Sequence, residues 1–132
     1  MTGNRYRDAA GILAEEKEKI SKGAIALVDA MGIDVASGSS ETYIEHAEFL
    51  ALALQMYYDR NQEVHDAWER VGYLGNLLTL YGKTLRLMNS LWWKPEGSGQ
   101  RTEKSIDNAI DAINYSIFLI RGVRAGNERG ML

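Results

Sequence analysis

The sequence contains no cysteine and only one proline among its 132 residues. Without cysteine the chain has no disulfide, no thiolate nucleophile and no cysteine-ligated zinc. The single proline, Pro95, lies in the glycine- and serine-containing stretch 94–99, so the long stretches on either side lack a strong helix breaker. The shortage of proline favours an all-α protein.

The sequence also has fewer basic than acidic residues. It contains 15 lysines and arginines and 18 aspartates and glutamates, which gives a net charge of −3. A protein that binds duplex DNA usually has the opposite balance. No apolar run approaches the roughly 18 residues of a membrane-spanning helix, and the opening residues MTGNRYRDAAG lack the apolar core of a signal peptide. We therefore expect a cytoplasmic protein whose partners are neither duplex nucleic acid nor a membrane.

Apolar residues recur at three- and four-residue spacings over most of the chain, and this period predicts helices. The expected helices cover about residues 5–31, 42–66, 73–93 and 102–124. A chain of this length fits one domain with its own core. We predict a single all-α domain, bundle-like, with an N-terminal helix added to a helical core at 42–124 and a polar tail at 125–132.

Local signals set the expected helix boundaries. Thr42 and Glu45 form a capping box, in which the hydroxyl accepts from a backbone N–H and the carboxylate reaches back. Thr102 is expected to cap the last helix. Gly72 predicts a bend, and Gly23 allows a break near residues 21–23, because glycine disfavours the helix interior.

Three carboxylates follow the last helix at one-turn intervals, at the edge of its isoleucine stripe. They belong to Glu103, Asp107 and Asp111. Acids at a core boundary can point into a cleft between helices, and grouped carboxylate oxygens suit Mg²⁺, which also keeps waters for a substrate phosphate. The alternative is a solvated edge with ion pairs to Lys104 or Arg121.

If the carboxylates cluster, they repel one another when no cation is bound. Replacing Asp111 by Asn is then expected to abolish Mg²⁺-dependent nucleotide binding. The same change is expected to leave the apo fold as stable as before, or more stable.

A second polar cluster occupies residues 59–72. Glu63 and Asp66 are three residues apart and share a helix face. Arg60 and Arg70 suit phosphate, since a guanidinium binds it through two hydrogen bonds. Trp68 either stacks on a base or packs in the core.

These residues resemble a known family. The run Arg60-Asn61-x-Glu63-x-x-Asp66-x-Trp68-x-Arg70-x-Gly72 is similar to the first motif of the nucleotide-modification-associated domain found in many phages. That domain is an all-α relative of the MazG and dimeric dUTPase pyrophosphohydrolases. The last helix, Glu103-x-x-x-Asp107-x-x-x-Asp111-x-x-Asn114-Tyr115, resembles its last motif, and Lys83-x-x-Arg86-Leu87 resembles its basic middle helix. The resemblance covers about residues 42–124.

The resemblance implies a MazG-like helical core that hydrolyses a nucleoside triphosphate to monophosphate and pyrophosphate with Mg²⁺. The implied metal ligands are Glu63, Glu103, Asp107 and Asp111. The implied catalytic acids are Glu63, Asp66 and Asp111. The implied nucleotide and phosphate contacts are Arg60, Asn61, Trp68, Arg70, Lys83, Arg86, Asn114 and Tyr115. Relatives often carry an acid where this chain has Gly82, so one carboxylate of the expected cluster is missing.

Three functions follow as hypotheses. The first is a Mg²⁺-dependent pyrophosphohydrolase, or a nucleotide-binding relative, of a phage. The second is a non-catalytic phage protein that sequesters a linear or cyclic nucleotide signal of host defence. The third is a structural helix bundle, in which Trp92 and Trp93 form a partner surface. We also expect a homo-oligomer, because residues 47–58 are apolar almost all round and the resembled family assembles its sites at subunit contacts.

Overall fold

The computed structural model describes residues 7–34, 40–64, 68–93 and 99–125. All regular secondary structure in these ranges is helical, which confirms the all-α prediction. The helices are α1 (Ala9–Glu15), α2 (Lys17–Ala30), α3 (Ser40–Val64), α4 (Trp68–Met88) and α5 (Gly99–Arg124), with a π-helical turn at Asn89–Trp93 between the last two. Among these helices, none has the length and apolarity that a membrane crossing requires.

The N-terminal helix is interrupted, but not where the sequence suggested. The interruption falls at Glu16, between α1 and α2, whereas Gly23 lies inside α2. The Asp8 carboxylate caps α1 by accepting from the backbone N–H of Gly11 at 2.8 Å. This cap fixes the start of α1, whereas the interruption comes from the non-helical backbone of Glu16, with φ −121° and ψ 25°. Gly23 is tolerated inside α2, because a single glycine costs only about 1 kcal/mol in a helix.

Two predicted caps are wrong by a few residues. α3 begins at Ser40 and α5 at Gly99, so Thr42 and Thr102 stand inside the helices rather than before them. A serine or threonine inside the first turn fits the same sequence pattern as a cap, so the pattern by itself does not fix the first helical residue. The predicted end of the last helix, near Arg124, is confirmed.

The chain divides into two compact units, which we call the first unit (Met1–Tyr58) and the second unit (Asp59–Leu132). In the first unit, Ala24 and Val28 of α2 and Ala47 of α3 form a buried cluster, against which Ile33 and Ile44 pack. The small side chains allow close contact between these helices. The single-domain interpretation stays a prediction.

In the second unit, α4 and α5 pack side by side in opposite directions. The residue pairs that meet are Tyr73 with Gly122, Lys83 with Asp111, and Ser90 with Ser105. One residue number rises as the other falls, which defines an antiparallel pair. A Cβ at Gly122 would lie 2.9 Å from Cβ of Tyr73, so the two backbones approach more closely there than any larger residue permits.

The predicted bend at Gly72 is confirmed. Its φ of 69° and ψ of 179° interrupt the helical geometry of α4, and only glycine adopts this region readily. The Asn76 side chain braces the bend, because its Nδ2 donates to the carbonyl of Gly72 at 2.9 Å. The bend therefore sets the direction in which α4 continues alongside α5.

Replacing Gly122 by Ala should destabilise the second unit by about 1–3 kcal/mol, because the new methyl group would overlap Tyr73. Gly23→Ala is the matched control. A Cβ at Gly23 meets nothing within 4 Å, so this change should stabilise α2 by about 0.5–1 kcal/mol. Urea unfolding followed by circular dichroism measures both. Equal stabilisation by the two changes would contradict the close approach of α4 and α5.

Acid should weaken the first unit through Glu16. The hydrogen bond from Arg7, and then the neighbouring Lys19, hold the pKa of the Glu16 carboxyl below its ordinary value of 4.5. Stability from this pair is therefore present above that value and is lost as the pH falls below it. The effect is small, since the pair is partly solvated. Thermal unfolding from pH 6 to 3 should show a shallower acid dependence for Glu16→Gln. Glu18→Gln, at an exposed glutamate in the first turn of α2, should follow the unmodified chain.

Candidate functional site

A buried carboxylate joins three helices within the second unit. Asp111 of α5 is only 4 % exposed. Nη1 of Arg60, from the C-terminal part of α3, donates to its Oδ1, and Nζ of Lys83, from α4, lies 3.0 Å from its Oδ2. We call these three residues the Asp111 triad.

The helical period explains how α4 and α5 present this triad. On α5, Ile110 and Asn114 are buried with Asp111, so the carboxylate lies within the packed side of the helix. Lys83 of α4 is seven residues from Asn76, on the same helix, and from Ser90, in the π-helical turn that follows. A separation of seven returns to nearly the same face of a helix. This polar line faces α5 at the heights where Asp111 and Ser105 lie.

The three side chains of the triad differ in their exposure to solvent, and the acid is the most buried. The Asp111 side chain is 6 % exposed, that of Lys83 18 % and that of Arg60 34 %. A buried carboxylate without compensation is strongly unfavourable, and the two cations offset that penalty. The two cations are therefore the members of the triad that reach solvent.

The triad has the chemistry of an anion site. A guanidinium offers planar N–H donors and an ammonium offers three rotatable ones. The shared carboxylate holds both cations in one place, so neither loses much side-chain entropy when an anion arrives. Phosphate, with several acceptor oxygens and negative charge, matches this pair of donors.

Three other predicted nucleotide contacts, Asn61, Asn114 and Tyr115, are close in sequence to members of the triad. Asn114 is buried on α5, one turn after Asp111. Tyr115 packs edge-on against Phe118, with ring centroids 5.3 Å apart, and so belongs to the packing of α5. Asn61 is partly buried next to Arg60 in sequence.

Two predicted phosphate contacts, Arg70 and Arg86, are exposed on α4. No described ion pair connects either of them with Asp111, which pairs with Arg60 and Lys83. The remaining predicted site residues lie outside the part of the chain whose side chains are described: Glu63, Asp66, Trp68 and Glu103.

The magnesium assignment stays a prediction. Among the described side chains, no three acids or histidines lie close enough together to hold a metal ion. Of the four implied ligands only Asp107 and Asp111 are described, and both Asp111 oxygens face basic side chains.

The basic partners of Asp111 also reverse one expectation from the sequence. That expectation took the neighbours of Asp111 to be carboxylates, whereas its described ion pairs are with Arg60 and Lys83. The sequence analysis also missed the buried Asn76 and Ser105. For Asn76 the available signal was the seven-residue spacing of Asn76, Lys83 and Ser90, which places three polar residues on one face.

No protein-family model, curated protein or solved structure matches this sequence. The resemblance to the phage nucleotide-modification-associated domain therefore rests on its motifs alone. The function has to be argued from the triad and its surroundings.

Replacing Asp111 by Asn should destabilise the protein by about 2 kcal/mol, because two cations then face a neutral amide. A fully buried pair would lose roughly 3–5 kcal/mol, and the partial exposure of Arg60 and Lys83 reduces this figure. Lys83→Met in the same chain should recover part of the loss. A double-mutant cycle by urea unfolding measures the coupling. Strict additivity of the two changes would show that Lys83 and Asp111 do not interact.

Proposed function

We propose that this chain is a phage-type nucleotide-handling protein that binds the phosphate groups of a nucleotide through Arg60 and Lys83, with Asp111 aligning them. The observation that supports this function is the convergence of two partly exposed cations on one buried carboxylate. The motif resemblance contributes the nucleotide as substrate class, since both basic residues occupy positions of the resembled motifs.

Binding without turnover fits the described charges best. Both oxygens of Asp111 accept from basic side chains, which leaves this carboxylate poorly suited to activate a water. The position where relatives often carry a further acid is Gly82 here. A protein of this kind sequesters a linear or cyclic nucleotide, such as a signal of host defence, and releases it unchanged.

A Mg²⁺-dependent pyrophosphohydrolase is the second candidate. It is favoured by Asp107, which lies partly buried one helical turn before Asp111 on α5. Bound Mg²⁺ would supply phosphate polarisation and an activated water. On this hypothesis Asp107 and Asp111, with Glu63 and Glu103, hold the metal, while Lys83 and Arg60 orient the phosphates.

The proposal includes a cytoplasmic location and a homo-oligomeric state. Several apolar side chains of α3 are exposed, among them Phe49, Leu54 and Tyr58. Part of the apolar surface predicted for residues 47–58 is therefore exposed to solvent, and contact with another subunit would remove it from water.

A purely structural bundle is the third candidate function, and it requires no ligand.

Calorimetric titration with ATP and with cyclic di-AMP, in EDTA and then in Mg²⁺, tests the proposed function. Binding of either probe in EDTA is expected. Arg60→Lys keeps the charge but removes the planar donor pair, and should weaken binding at least about tenfold, a loss of roughly 1.4 kcal/mol. Lys104→Met, which removes an exposed lysine of α5, is the matched control and should bind normally.

The same samples separate the candidates. A sequestering protein returns its ligand intact after denaturation, whereas a hydrolase releases pyrophosphate from ATP only when Mg²⁺ is present. Failure of both probes to bind under every condition would contradict the phosphate site and favour the structural bundle. Circular dichroism of each variant confirms that a binding loss does not reflect unfolding.

A further inference from the structure

The two cations of the Asp111 triad are held differently by the fold. Lys83 lies within α4, and contacts with α5 before and after it, at Tyr73 and at Ser90, hold its helix in place. Its side chain is only 18 % exposed. Arg60 lies near the C-terminal end of α3, and its side chain is 34 % exposed. A ligand that arrives from solvent therefore meets Arg60 before it meets Lys83.

The two oxygens of Asp111 have separate basic partners. Nη1 of Arg60 donates to Oδ1, and Nζ of Lys83 lies 3.0 Å from Oδ2. If Arg60 turns away, Lys83 still offsets the charge of the buried carboxylate, so the interior keeps no uncompensated charge. If Lys83 is lost instead, the carboxylate depends on Arg60 and retains it. The presence of Lys83 is thus what allows Arg60 to leave.

The chemistry of the two side chains points to the same division. A guanidinium is planar, and it binds a phosphate group through two parallel N–H donors. An ammonium is a compact, strongly hydrated charge without this fixed geometry. The more exposed cation of the triad is therefore also the one whose shape matches a phosphate group.

We propose that Arg60 alone contacts the phosphate groups of the ligand, and that Lys83 is a positioning residue that compensates Asp111 while Arg60 is engaged. Arg60 exchanges one anion for another, the carboxylate for the ligand, and the ion pair of Lys83 with Asp111 stays in place. This inference rests on the proposed function and narrows it, because Lys83 then acts on the ligand through Asp111 and not by touching it.

Two double changes, each of which removes one positive and one negative charge, test this division. Lys83→Met with Asp111→Asn leaves Arg60 without a carboxylate to retain it. This variant should bind within about threefold of the unmodified chain, whereas Arg60→Met with Asp111→Asn should bind at least about tenfold more weakly. The two variants have the same net charge, so the overall field of the protein does not explain a difference between them. Calorimetric titration in EDTA, with whichever of ATP and cyclic di-AMP binds the unmodified chain more tightly, measures both affinities.

Lys83→Met without a second change gives a further measurement. Asp111 then depends on Arg60, so this variant should bind at least about tenfold more weakly than the variant that also carries Asp111→Asn. A purely structural role of Lys83 does not predict that a second change in the same ion pair restores affinity. Circular dichroism and urea unfolding of each variant separate a loss of binding from a loss of fold.

The outcomes distinguish this inference from the function on which it rests. Equal losses of affinity in the two double variants show that both cations touch the ligand, which overturns the division and leaves the phosphate site intact. Normal binding by the variant that lacks Arg60 also overturns it. An unmodified chain that binds neither ATP nor cyclic di-AMP contradicts the proposed function itself, and the inference fails with it.

Discussion

The carboxylate of Asp111 is the charge around which the second unit is organised. It is buried on α5, and its two oxygens face cations from two other helices, Arg60 and Lys83. A buried charge requires compensation by partners held in place. The position of α4 and of the end of α3 against α5 is therefore linked to one ionic contact rather than to apolar packing alone.

Close backbone approach between α4 and α5 makes that contact possible. Gly122 allows the helices to meet near Tyr73, and the unusual backbone of Gly72 directs α4 along α5. At the other end, the hydroxyls of Ser90 and Ser105 lie 3.0 Å apart. Polar contacts at several heights fix the register of two helices more strictly than apolar contacts do, because a shifted register would leave buried polar groups without partners.

α4 has different properties on its two sides. The side that faces α5 carries the polar line with Lys83, which supplies positive charge to a partly open site. The opposite side is apolar, and Leu78 and Tyr81 are exposed there.

The sequence by itself determined the helical class, the bend at Gly72 and the end of α5, because these depend on apolar period and on the backbone freedom of glycine. It also singled out Arg60, Lys83 and Asp111. It predicted phosphate binding for the two basic residues and metal binding for the acid. Only the tertiary structure decided that they contact one another, since Arg60 and Asp111 are 51 residues apart in the chain. Helical periodicity states which side of a helix a residue occupies, whereas the charge that faces it depends on how the neighbouring helix is placed and in which register.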